Sequence, residues 1–420
     1  MWLTEKALKI ALIACIIIIV ILGGALGWAL MQAAAPPAMV EYPIGLAIAV
    51  SGPYAVEGPY RRDAALMAIE EVNAMLERAG SPIRFKPIHE DSKGTAEGAK
   101  AALEALAAAG VEVVVGPLSS KEVAAIKSYV DEHHIVAISP SSTAISLAVP
   151  DDFIFRMVPT DAAQGRGIAD LIWYFGHEHV AVIARDDDYG RGVAGVFESE
   201  FTAKGGEVYK IMYDPTAGAY PTEVSDLASK VSEWIGTYGT DKVAVLIVAF
   251  DDDGRDIISR ALTYTELRQV HWFGSESTRR PTFLPPEAPE EIAQFLMDTN
   301  FMNLFPTVGM NPVREKFYEN YVTKYGKEPT PYSYFSYDAA WVACLAVLAA
   351  GKYDGDAIKA VLPDVCERYI GASGYKKLDE NGDVMATDYG IATVALEEGE
   401  YIWKEVGIWH FTTREITFYD

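Results

Sequence analysis

Five short polar clusters stand out for the side chains they gather: "GPLSS" (116–120), "SPSST" (139–143), "RDDDYG" (185–190), "FDDDG" (250–254) and "GSES" (274–277). Each follows an apolar, β-branched run. The first two hold serines and a threonine, several of them where a helix should begin, and the free backbone N–H groups there favour an anion. The other three hold carboxylates and a tyrosine. A hydroxyl wall that takes an anion, facing an acidic wall that takes a cation, suits a dipolar ligand such as an amino acid. The first two clusters contain no lysine or arginine, which speaks against a strongly clamped phosphate or sulfate. Capping alone would account for Ser119 and Ser120 or for "SPSST" taken singly; the recurrence at five strand ends is what points to one shared site.

Other chemistries fit less well. "GRGVAG" (190–195) matches G-x-G-x-x-G and Asp214 follows about 20 residues on, as in a dinucleotide fingerprint. However, "RDDDY" intervenes between strand and glycines and puts three carboxylates where a pyrophosphate would sit, so NAD binding is a remote alternative. There is no G-x-S-x-G elbow, and the seven histidines are scattered outside the five clusters. No catalytic residue, metal ligand set or cofactor is assigned. "DENGD" (379–383) fails the EF-hand register and reads as a turn on Asn381-Gly382.

The clusters need a scaffold to hold them, and the pattern supplies an α/β one. Apolar runs alternate with alanine-rich amphipathic segments for about 250 residues. Strands are expected at 44–50 ("IGLAIAV"), 83–90, 111–115 and 135–138, with helices from Pro59 to Gly80, through Ala107 and from Lys121 to Glu132. A second series begins near Thr160: strands at 179–184, 207–211, 242–250 and 270–274 alternate with helices, including one from Gly192 and one from Asp256. Two lobes of one kind result, each with a doubly wound parallel sheet. Helices at 312–325, 333–350 and 355–362 follow, then two alternating runs, "YGIATVAL" and "YIWKEVGIWHF", that should add edge strands. In open α/β sheets the ligand crevice lies at the carboxyl ends of the strands, so all five clusters should face one crevice.

The chain has 420 residues, half of them apolar, enough for two cores. Its 59 acidic against 35 basic residues exclude a nucleic-acid partner on charge. From Ile10 to Leu30 no charge occurs, and a helix needs about 20 apolar residues to cross a bilayer. Lys6 and Lys9 precede this segment and no basic residue follows before Arg61, which leaves residues 1–9 cytoplasmic and the rest outside. Residues 10–31 are thus a retained anchor or a cleaved signal, and 32–41 a Pro/Ala linker. Outside, Cys344 and Cys366 could form a bridge or remain free thiols.

With "SGPYAVEG", "GPLSS", "ISPSST", "FRMVPTDAAQG", "DYGRG" and "FGSE" in this order, the stretch from about Tyr42 to Ile408 resembles the type I periplasmic solute-binding proteins of ABC transporters, in the branched-chain amino acid (leucine/isoleucine/valine and amide) class. The resemblance implies two lobes joined by three crossings near Pro159, Asn300 and Ser373, hence lobe 1 at 42–159 plus 301–373 and lobe 2 at 160–300 plus 374–420. It implies that Ser120 binds a ligand carboxylate, that Ser141 and Thr143 share carboxylate and ammonium, that Tyr189 closes over the ligand and that Glu276 pairs with its ammonium. The full candidate set is Ser119, Ser120, Ser141, Ser142, Thr143, Tyr189, Phe250, Asp251, Glu276 and Glu57. Glu57 and "FDDDG" stand where the leucine-binding group has apolar or aromatic residues, so a polar or cationic ligand side chain enters consideration, with a solvated Glu57 as the other reading. The implied function is an anchored, monomeric extracytoplasmic receptor, not an enzyme, that closes on an amino acid or amide and delivers it to an ABC permease. The alternative is a ligand-sensing ectodomain acting through a separate partner.

Overall fold

In a computed structural model of the chain, residues 5–33, 38–307, 311–385 and 387–419 are described. Two compact units can be told apart: one takes in residues up to Tyr42 with Asn73–Arg84, the other Pro43–Val72 with Phe85 onward. The first contains helix α1 (Glu5–Ala33), whose 29 residues correspond to roughly 43 Å at 1.5 Å per residue. Its apolar side chains from Ile16 to Leu22, with Leu12, Ile13, Leu26 and Trp28, are exposed. Residues 34–37 of the expected linker lie outside the described residues.

The first sheet has the order β2-β1-β3-β4-β5, built from β1 (Val40–Ala47), β2 (Ile83–Glu90), β3 (Val113–Val115), β4 (Val136–Ser139) and β5 (Ile154–Arg156). Strands β1 and β3, β3 and β4, and β4 and β5 pair in parallel. Helices α2 (Glu57–Arg78), α3 (Ala96–Ala108) and α4 (Ser120–His133) connect them. The strand read at 44–50 runs from Val40 to Ala47 instead, and residues 48–50 already belong to the loop. Gly116, where β3 passes into α4, has φ of 110° and lies so near β1 that a Cβ would meet the Ala47 carbonyl oxygen at 2.2 Å. Only glycine satisfies both demands.

The second sheet has eight strands in the order β15-β14-β13-β10-β9-β8-β6-β7. Its parallel part is β6 (His179–Arg185), β7 (Glu207–Tyr213), β8 (Val243–Val248), β9 (His271–Gly274) and β10 (Met302–Pro306), with α5 (Asp161–Tyr174), α6 (Asp188–Ala203), α7 (Pro221–Tyr238), α8 (Asp251–Ala261) and α9 (Glu290–Asp298) between and around them. Fully buried runs such as Val243–Val248 explain the lack of alternation in these strands: apolar side chains cover both faces. Helices α6 and α8 begin four and five residues earlier than the periodicity suggests. Asp187 caps α6, its Oδ1 accepting from the Gly190 N–H at 2.9 Å, and carboxylates fill both first turns, where the helix dipole favours them.

Helices α10 (Pro312–Tyr325), α11 (Pro331–Ala350) and α12 (Gly355–Glu367) follow; α11 is apolar enough to cross a membrane by composition but is mostly buried, packed on β3 and β4. A two-stranded ribbon, β11 (Ile370–Gly371) and β12 (Gly374–Tyr375), comes next. Then β13 (Tyr389–Glu397), β14 (Glu400–Trp409) and β15 (Ile416–Phe418) extend the second sheet in antiparallel fashion at one end. Asn381 and Gly382 form the expected turn, Gly382 at φ of 77° and its N–H bonded to the Asp379 carbonyl.

Two crossings differ from the sequence reading. At the first of the three, β5 of the first sheet ends at Arg156 and α5 begins at Asp161. The second lies past Pro306 rather than near Asn300, because Met302–Pro306 pairs with β9 and β13 in the second sheet. The third lies after Val384 rather than near Ser373: Asp383 bridges Arg156 beside β5, and the N–H of Val384 donates to the Arg156 carbonyl. Burial explains the placement, since Arg156 is fully enclosed and its guanidinium clasps both Asp383 carboxylate oxygens at 2.5 and 2.6 Å. Cys344 and Cys366 are buried and free.

Candidate functional site

The five strand-end clusters each bring at least one residue to a single chamber between the two sheets. Its wall is formed by Ser119, Ser120 and Ser141 from the first sheet's side and by Tyr189, Phe250, Glu276 and Ser277 from the second. Tyr54, Arg61, Arg280 and Tyr332 complete it. About 10 Å³ is left inside, room for about one water molecule. The chamber is shut.

The serines divide into caps and wall groups. Ser119 is an N-cap in a capping box with Glu122: its Oγ accepts from the Glu122 N–H and donates to Oε2 at 2.6 Å, and Oε2 also accepts from the Ser119 N–H. Its hydroxyl is therefore spent within α4. Ser120 Oγ accepts from the N–H groups of Thr143 (3.2 Å) and Ala144 (3.1 Å) and from the Ser142 hydroxyl. With three donors on the oxygen, the Ser120 proton remains to be given to a partner. Ser141 Oγ donates to the Leu118 carbonyl and accepts from Arg61 Nη1 at 3.0 Å. Ser142 supports Ser120 from behind the wall. The Thr143 hydroxyl is buried without a well-formed hydrogen bond, although it lies near enough to Asp161 to favour that group's ionised form.

The expected acidic wall is largely neutralised by its own arginines. Arg185 pairs with Asp187 (2.6 Å) and Asp253 (3.1 Å), Arg191 with Asp186 and Asp188, and Arg280 with Asp251 (3.0 Å). Asp251 also accepts from Thr282, so it holds Arg280 in place and does not face the chamber. Glu276 is what remains. It is 2 % exposed, its Oε2 has no hydrogen-bond partner, and burial raises its pKa to about 7 against the help of Tyr332 and the arginines. Asp161, at the start of α5, is fully buried with Oδ2 unpartnered; burial and then the charge of Glu276 push its pKa well up. Gln164 links the two, donating to Asp161 Oδ1 and accepting from the Glu276 N–H at 2.9 Å.

Tyr189 donates to or accepts from Ser277 Oγ at 2.9 Å and stacks on Phe250, with ring centroids 5.2 Å apart. Phe250 carries the Arg185 guanidinium 3.7 Å above its ring. Glu57 is neither solvated nor a wall residue. It is 1 % exposed and accepts from Arg61 Nε at 3.1 Å and from Thr330.

Arg61, Arg280, Tyr54, Tyr332, Asp161 and Gln164 are absent from the candidate set, although Tyr54 lies in "SGPYAVEG" and Asp161 and Gln164 in "FRMVPTDAAQG". The first two clusters contain no arginine, as read, but two arginines from outside the five clusters line the chamber. The signal was present in "EGPYRR", with Arg61 one helical turn after Glu57, and in "GSESTRRP", with Arg280 four residues after Glu276.

Comparison with known proteins accords with this architecture. The family described as the receptor family ligand binding region matches residues 60–397. An uncharacterized protein of Methanocaldococcus jannaschii is 29% identical over 400 residues, covering 89% of this chain and 91% of that protein. Glutamate receptor 3.1 of Oryza sativa subsp. japonica is 28% identical over 151 residues, 36% of this chain but only 15% of the receptor. The Leu/Ile/Val-binding protein BraC3 of Rhizobium johnstonii is 26% identical over 175 residues, 41% of this chain and 47% of that protein. Among solved structures, the leucine-binding protein LivK of Thermotoga maritima superposes with a TM-score of 0.68 at 21% identity, covering 87% of this chain and 98% of that one. Sheet order, the paired lobes and the matched profile agree: the chain belongs to the receptor-type ligand-binding-region family and has the type I periplasmic binding-protein fold.

Proposed function

We propose that this protein is an extracytoplasmic receptor that captures one α-amino acid by closing its two lobes, stays tethered to the membrane by α1, and passes the ligand to an ABC permease. The observation that carries the reading is the set of buried polar atoms left without a hydrogen-bond partner. Glu276 Oε2, Arg61 Nη2 and Arg280 Nε lie on the wall, and Asp161 Oδ2 and Thr143 Oγ1 beside it. Such orphans are costly unless a ligand satisfies them. The two carboxyls call for an ammonium. The spare proton of Ser120, above the N-terminus of α4, calls for a carboxylate.

The names of the relatives support the same class, since leucine, isoleucine, valine and glutamate all share the α-ammonium and α-carboxylate. Tethering is supported by the exposed apolar surface of α1 and its length. Delivery to a permease rests on the likeness to transporter binding proteins. A sensing role through a separate partner is favoured by the receptor relatives instead, and co-purification from the native membrane separates the two by the identity of the partner. The ligand class is tested by thermal denaturation of the full chain in detergent with each amino acid. A ligand at 100 times its dissociation constant stabilises the folded state by about 2.7 kcal/mol. A shift with some amino acid, abolished in Ser120→Ala and Glu276→Ala, is expected; no shift with any of them sinks the proposal.

A further inference from the structure

The chamber holds two arginines, and they enter it from opposite sides. Arg61 stands in the first helix of the first lobe and Arg280 follows β9 in the second. Both are buried, at 0 % and 3 % exposure. Burying a guanidinium is expensive unless its N–H groups are satisfied, and here one nitrogen of each is left without a hydrogen bond. Arg61 Nη2 lies 3.1 Å from Glu57 Oε2 but at an angle that makes no hydrogen bond, and Arg280 Nε has no partner. Their anionic partners, Glu57 and Asp251, sit behind them and do not line the chamber. A ligand at this end therefore meets their free N–H donors, with Glu276 the carboxyl on the same wall within electrostatic reach of both arginines.

The aromatic neighbours fix where these donors are. Arg61 lies 4.4 Å from the Tyr332 ring centroid and 5.3 Å from that of Tyr54; Arg280 lies 5.6 Å from Tyr54 and 5.2 Å from Phe250. The Tyr54 ring is thus shared by both guanidinium groups, which converge on one end of the chamber. An apolar side chain placed there would leave both sets of N–H groups unsatisfied and gain nothing from them. A cationic side chain would be repelled. An oxyanion with two oxygens would satisfy both arginines and, in doing so, hold one lobe to the other.

We propose that the ligand carries a second acidic group distal to its amino-acid end, gripped between Arg61 and Arg280, so that the substrate class is acidic amino acids and not branched-chain ones. This rests on the amino-acid reading above and narrows it. Glu57 and Asp251 are positioning residues in this account: each orients an arginine that touches the ligand.

The test is calorimetric titration of the full chain in detergent with L-glutamate, L-aspartate, L-glutamine, L-leucine and glutarate. The expected result is that one of the two acidic amino acids binds about a hundredfold or more tightly than leucine, because a site built for polar contacts rejects an analogue lacking them. Arg61→Gln and Arg280→Gln should each erase that preference. Unfolding of each ligand-free variant is monitored in parallel, and if either fails to fold, the wild-type ranking alone decides. Leucine or glutamine binding more tightly than both acids overturns this inference and leaves the amino-acid reading standing. Binding of glutarate alone upholds the arginine grip and overturns the amino-acid reading. No binding by any of the five overturns both.

Discussion

Ligand capture should depend on pH through Glu276. Burial in the chamber pushes the pKa of this carboxyl up to about 7 from 4.5, although Tyr332, Arg280 and Arg61 favour its ionised form. An α-ammonium can pair only with the ionised form. At pH 7 about half of the protein is ready, and at pH 5 about one molecule in a hundred, so the dissociation constant should rise about fiftyfold between them, about 2.3 kcal/mol. Above pH 8 it should level off until the ligand's own ammonium titrates. Isothermal titration in two buffers of different ionisation enthalpy would count the protons, with close to one released per ligand at pH 5 to 6. Glu276→Gln should bind weakly and with a flat profile. A wild-type dissociation constant that changes less than threefold from pH 7 to 5 would refute the reasoning. The same shift has the opposite sign for the ligand-free fold. A carboxyl whose folded pKa is raised stabilises the folded state below its unfolded pKa, and that contribution is lost as pH climbs from about 4.5 through 7. Lobe closure without ligand is thus penalised at neutral pH, and the ligand's ammonium removes the penalty.

Two further outcomes are expected. Phe250 stands between the chamber and a neighbouring void of about 260 Å³, so Phe250→Ala should weaken the native ligand about tenfold by losing the Tyr189 stack while admitting ligands with longer side chains; calorimetry that shows neither change counts against its role as a partition. Arg156→Met should cost about 3 to 5 kcal/mol in urea denaturation by stranding buried Asp383, and a loss under about 1 kcal/mol would mean that the pair does not staple residues 382–384 to β5.

The alternation of apolar runs and amphipathic segments was enough to place most strands and helices and to show two lobes, because period-2 and period-3.6 burial are local properties of the chain. Strand β2 and helix α10 have the bounds read from sequence. The five strand-end clusters were legible for the same reason: a strand's carboxyl end is fixed by where its apolar run stops. What lay beyond local pattern was partnership. Met302–Pro306 looks like a start of the first lobe's return until it is seen paired with β9 and β13. Asp251 looks like a ligand group until Arg280 and Thr282 are found on it, and Glu57 until Arg61 is. A carboxylate's availability depends on which cation reaches it across the fold, and sequence carries no record of that distance. The residues alone therefore determined the α/β architecture and the position of a crevice; only the tertiary structure decided which charges cancel and which are left facing it.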